Sequence, residues 1–138
     1  MTGQIDNTIA RAVAVVGLVG VALIHLLDAP DTFASTPYKG WLYVALIVGC
    51  LATAGALIRD SDSRAWAMAA LLPLGAALAF VVSRTVGLPH GADIGNWTEP
   101  LGLASLFVEG CVVALSVAVL TKRSSARALR PSSRALPA

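Results

Sequence analysis

The chain has 138 residues, of which 57% are hydrophobic and only 13% charged, with a formal net charge of +2. Soluble domains are about a quarter charged, and here the charges sit in short clusters between long apolar runs. That distribution excludes a disordered chain and a soluble core, and it predicts a membrane protein. The connections are too short to hold a second domain.

After a polar start over residues 1–7, four apolar segments follow, at about 9–27, 41–58, 65–82 and 101–121. Each approaches the ~20 residues that a helix needs to cross a hydrocarbon core about 30 Å thick. Helix is required because lipid offers no partner to backbone N–H and C=O groups. The expected fold is all-α, a transmembrane four-helix bundle, antiparallel because the connections are short. Residues 1–122 would form this one domain, and 123–138 a disordered, basic, cytoplasmic tail rich in Ser and Pro. Segment one is too long for the apolar core of a signal peptide and no A-x-A site follows it, so it is expected to remain a helix.

In lipid, helices associate through small residues and polar groups rather than through burial of apolar surface. Segment one offers Ala10, Ala14, Gly17 and Gly20 for such packing, and His25 with Asp28 near its outer end. The stretch 28–40, DAPDTFASTPYKG, is expected as an outer loop. Segment two offers Ala45, Gly49, Ala52 and Ala56, and RDSDSR at 59–64 is expected to make a tight inner turn. Segment three has Ala69, Pro73 and Ala76 or Ala77. Pro73 removes one helical hydrogen bond and predicts a kink. Arg84 closes this segment, and 83–100 is expected as the second outer loop. The motifs TPYKG and TEPLG each open the second helix of a pair, a faint echo that a parallel duplication would explain.

Segment four carries Glu109, the only formal charge inside an apolar span away from its ends. Thr98, Gly102, Ser105, Glu109, Val112 and Ser116 follow one another at steps of three and four. Such steps keep them on one side of a helix, which is expected to face the bundle interior. At 1.5 Å per residue, Glu109 lies roughly 15 Å below Glu99. Placing an acid at that depth costs on the order of 2.5–3.5 kcal/mol, and a neutral form or a partner lowers the cost. An ionisable group inside a membrane is a functional candidate. A protonated glutamate bonded to a neighbouring helix is the structural alternative.

Lysine and arginine set the orientation. Arg11, Arg59, Arg64, Lys122, Arg123, Arg127, Arg130 and Arg134 fall on one side, and only Lys39 and Arg84 on the other. Both termini are therefore expected in the cytoplasm, with Tyr38, Trp41, Tyr43 and Trp97 near the outer interface and Trp66 near the inner one. The outer side would gather His25, Asp28, Asp31, Arg84, His90, Asp93 and Glu99. If this rim forms a site, His25, Asp28, Arg84 and Glu99 are expected at its mouth, with Ser105 and Glu109 below. His25 and His90 are the candidates for a metal, although their spacing matches no ligand motif. Cys50 and Cys111 are read as buried thiols. No phosphate-binding loop, zinc motif, haem-attachment motif or catalytic triad can be recognised, so catalytic residues are not assigned and cofactors are left unspecified. The basic tail is a topology determinant in contact with anionic lipid rather than a nucleic-acid binder.

The stretches SRTVGLP at 83–89, WTEPLG at 97–102, VEG at 108–110 and HLLDAPDTF at 25–33 resemble uncharacterised small actinobacterial four-helix integral membrane proteins. In architecture the chain also resembles the DoxX-like superfamily. The resemblance implies a multi-pass protein of the bacterial plasma membrane and brings no activity with it. The functional expectation is a small membrane subunit that binds a proton, ion or small ligand in a polar pocket opening outward and ending at Glu109. Two other classes remain: a haem- or metal-handling redox accessory protein, and a structural partner subunit. Its surroundings would be the lipid bilayer and, in addition, either further copies of itself or a larger membrane complex.

Overall fold

The computed structural model describes residues 2–129. Among these residues there are four α-helices and no strand: α1 (Thr2–Ser35), α2 (Pro37–Arg59), α3 (Ser63–Thr85) and α4 (Pro100–Ala128). All four are long and apolar enough to cross a membrane. Between 22% and 33% of the most apolar stretch of each is buried inside the bundle, so most of each span faces outward. The helices form a ring in which α1 packs on α2 and α4, and α3 packs on α2 and α4, with a thin diagonal contact between α1 and α3. The core is built from Ala14, Leu18 and Val21 of α1, Cys50, Ala54 and Leu57 of α2, Trp66 and Ala69 of α3, and Val112 of α4.

Two helices outrun their apolar segments. The stretch 28–35, expected as loop, continues α1, although Pro30 lies within it. His25, Ala29, Thr32 and Thr36 are all buried. They extend one helical line at steps of three and four, and packing along that line holds the helix past the proline. Pro37 ends it, because a residue before proline is pushed out of the helical region, and Thr36 has φ −147° and ψ 81°. Only Thr36 separates α1 from α2. At the other end, α4 continues through 123–128, which were expected as the start of a disordered tail. Arg123 accounts for part of this: its guanidinium donates to the Ser61 carbonyl and to Asn7 Oδ1 and lies over the Trp66 ring. The rest of the tail, with Arg130 and Arg134, lies outside the described residues.

The inner turn over residues 60–62 is as tight as expected. Asp62 caps α3 by accepting from the Ala65 N–H at 2.8 Å, and Ser61 takes a left-handed conformation with φ 45°. Trp66, in the first turn of α3 beside this turn, faces the bundle rather than its surroundings. It is fully buried and its indole N–H donates to Ser61 Oγ at 3.0 Å. The expected packing stripe of α2 is also corrected. Ala45, Ala52 and Ala56 are exposed, and α2 instead turns Cys50, Thr53, Ala54 and Leu57 inward. Of the stripe, half-buried Gly49 lies close to Leu72 of α3. Cys111 is exposed on α4, whereas Cys50 is buried.

The echo between TPYKG and TEPLG has a structural counterpart. Pro37 and Pro100 each stand in the first turn of their helix, where a missing N–H costs nothing. Gly40 and Gly102 each lie against a phenylalanine from the preceding helix, Phe33 and Phe80. A side chain at either glycine would overlap that ring.

Candidate functional site

The line predicted on α4 faces the interior from Ser105 downward. Ser105, Glu109, Val112 and Ser116 are all buried, and Glu109 is only 1% exposed. Thr98 lies above the helix and is exposed. Two glycines on α1 bring this line close. A Cβ on Gly17 would overlap Val112, and one on Gly20 would touch Val108 at 3.5 Å. Without side chains there, α1 and α4 approach closely enough for His25 to reach Glu109.

His25 Nε2 lies 3.8 Å from Glu109 Oε1. This separation is beyond direct hydrogen bonding but within reach of a small rearrangement or a bridging water. The other imidazole nitrogen, Nδ1, lies 2.9 Å from the Val21 carbonyl. A carbonyl can only accept, so Nδ1 carries the hydrogen, and Nε2 turns its lone pair toward Glu109 when the ring is neutral. The Ser105 hydroxyl donates to Glu109 Oε1 at 2.7 Å. Carboxyl and imidazole together therefore form a two-base pair between helices. With one shared proton the pair is electrically neutral in either arrangement, acid with imidazole or carboxylate with imidazolium. A neutral pair avoids the cost of an isolated buried charge.

The remaining candidates separate into two groups at the same end of the bundle. Asp28, half-buried, accepts at Oδ2 from the Tyr43 hydroxyl at 3.0 Å and from Thr32 at 3.3 Å. The Tyr43 ring stands nearly perpendicular to His25, with centroids 4.7 Å apart. Arg84 is 6% exposed and pairs with Glu99 and, at 3.4 Å, with Asp93, which also binds Lys39. Its guanidinium lies 4.6 Å above the Phe80 ring, a stacking that Arg tolerates because it is weakly hydrated. Asp93 thus ties the 86–99 loop to α2 and α3. A hydrogen bond from the Gly95 N–H to the Arg84 carbonyl and another from the Tyr38 hydroxyl to the Pro89 carbonyl reinforce the loop.

The structure therefore places Ser105 and Glu109 with His25, which belongs to the buried pair rather than to the rim. Asp28 is joined to that pair through Tyr43. Arg84 and Glu99 pair with each other above it. His90 stands exposed in the loop with φ 60°. Among the described residues, no group of three or more His, Cys, Asp and Glu side chains is arranged to hold a metal ion. Sequence reasoning missed Tyr43, which it assigned to an aromatic belt, and Thr32, which it assigned to a loop. Once Thr36 is recognised as the corner of a helical hairpin, Asp28 and Tyr43 fall at nearly equal distances on either side of it and must face each other.

Four apolar spans around a buried polar line define a multi-pass membrane helical bundle with an ionisable pair in its interior. Comparison of the chain with protein families, with curated proteins and with solved structures returns no match.

Proposed function

We propose that this protein is a small membrane subunit that takes up and releases a proton at the Glu109–His25 pair. One observation carries the reading. A carboxyl and an imidazole from two different helices meet at 3.8 Å, with 2% and 10% of their side-chain surfaces exposed. Ionisable groups so placed in a membrane bundle mark proton and ion pathways. The outer face is the side of access in this reading, because Asp28, Tyr43 and Thr32 adjoin the pair there and the ion pairs of Lys39, Arg84, Asp93 and Glu99 lie beyond them. Toward the other end, Leu18, Leu57 and Trp66 fill the core without exposure.

The membrane is a bacterial plasma membrane in this reading, with both termini cytoplasmic. Support comes from the distribution of cations: Arg11, Arg59, Arg64, Lys122, Arg123 and Arg127 cluster at the inner end among the described residues. The resemblance to small actinobacterial membrane proteins points the same way. The test is infrared difference spectroscopy of the protein in liposomes during a pH step. A proton-dependent carboxyl band is expected in the native protein and is lost in Glu109→Gln. Identical difference spectra for the two proteins reject the reading and leave Glu109 as a structural hydrogen-bonding group.

A further inference from the structure

We infer that Tyr43 is the positioning residue of the buried pair, anchored by Asp28 so that its ring holds the His25 imidazole in line with Glu109. The inference rests on the proton-exchange reading of that pair and adds to it a group from a third helix.

The hydrogen bond to the Val21 carbonyl fixes one ring atom of His25. That bond sets the tautomer while it lasts, but by itself it does not prevent the ring from tilting away and losing it. Tyr43 supplies the missing constraint. It packs against the imidazole at 85° between ring planes, the edge-to-face arrangement that aromatic pairs favour. Phenylalanine would give the ring but not its fixed position. The Tyr43 hydroxyl donates to Asp28 Oδ2, and Thr32 donates to the same oxygen. Asp28 lies three residues after His25, one turn further along the same face of α1. Helix α1 thus supplies both the imidazole and the anchor, and α2 sets Tyr43 against both. The single-residue corner at Thr36 makes this register rigid, since there is no loop slack between the helices.

The other ionisable groups at this end are Asp31 on α1, Tyr38, Lys39 and, deeper, Cys50 on α2, Arg84 on α3, His90, Asp93 and Glu99 between α3 and α4, and Glu109 on α4. Arg84 and Glu99 are engaged with each other. Cys50 is buried in the core and makes no hydrogen bond to His25. Tyr43 is the group with a ring contact to the imidazole.

The experiment is nitrogen magnetic resonance of histidine-labelled protein in lipid. The chain has two histidines, so a His90→Gln background leaves His25 as the sole signal. The expected result is a single tautomer with hydrogen on Nδ1. In Tyr43→Phe the ring remains without its anchor, and the minor tautomer should rise about two- to tenfold, the scale of one lost hydrogen bond. Tyr43→Leu should give a mixture of tautomers, and Asp28→Asn, which keeps an acceptor for the phenol, should stay close to native. If Tyr43→Leu does not fold, the Tyr43→Phe and Asp28→Asn spectra decide. An unchanged tautomer in Tyr43→Phe and in folded Tyr43→Leu overturns the positioning role. That failure is separate from failure of proton exchange, which the Glu109 carboxyl band reports in a protein with Tyr43 intact.

Discussion

His25 Nε2 and Glu109 Oε1, on α1 and α4, lie 3.8 Å apart across a helix contact that glycine makes possible. Neither residue reaches water freely, and each is held from its own helix: His25 by the Val21 carbonyl and Glu109 by Ser105. The pair is therefore sensitive to small changes in helix spacing as well as to the loss of either partner.

Glu109→Ala should destabilise the bundle by about 1–3 kcal/mol, because it leaves Ser105 Oγ and His25 Nε2 without their buried partner. Glu109→Gln preserves shape and one hydrogen bond, and should cost less than half as much. Thermal unfolding in detergent, monitored by helix content, separates the two. A Glu109→Ala protein as stable as native would show that the site relaxes around the loss.

Gly17→Ala tests the spacing directly. The added methyl would overlap Val112, and such overpacking costs about 1–3 kcal/mol in a well-packed core. Restoring room with Val112→Ala should recover most of that loss. A double variant no better than Gly17→Ala would mean that the α1–α4 approach is not limited by this contact.

Arg84→Ala removes the centre of the outer ion-pair group and leaves Glu99 and Asp93 facing each other. Loss of one partner of a fully buried pair costs about 3–5 kcal/mol. Here the acid side chains keep 30% and 29% of their surface exposed, and solvent screening reduces the expected cost to about 1–3 kcal/mol. Faster proteolysis within 86–99 should accompany it, because Arg84 and Lys39 both hold Asp93 of that loop. Native cleavage kinetics in the variant would argue against that role.

The proposed orientation predicts which cysteines an impermeant maleimide reaches in intact cells. With Cys50 and Cys111 replaced, a cysteine at Asn96, exposed in the outer loop, should label from outside. One at Ser125, exposed near the end of α4, should label only after the cells are opened. The reverse pattern inverts the topology.

The spans and the inward face of α4 could be read from the sequence because both depend on local periodicity. Four apolar runs of the right length become helices in lipid whatever their neighbours do. Ser105, Glu109, Val112 and Ser116 share a face because 3.6 residues complete a turn. Local periodicity gave the wrong face for α2, where small residues at helical spacing lie outside and Cys50, Thr53 and Leu57 lie within. It also read Asp28 to Ser35 as loop, because proline and polar residues carry a strong local preference that tertiary packing of Ala29, Thr32 and Thr36 overrides. Those two errors hid Tyr43 and Thr32.

Taken alone, the sequence determined a four-span helical membrane protein with one acid deep in its last span, since hydropathy and helical period are properties of the chain itself. Tertiary structure decided which groups meet that acid. Helix α1 had to continue past Pro30, turn at a single residue, and approach α4 at Gly17 before His25, Tyr43 and Asp28 could gather near Glu109. Contacts between helices depend on rotation about each axis and on spacing between axes, and a single strand of residues encodes neither until the helices pack.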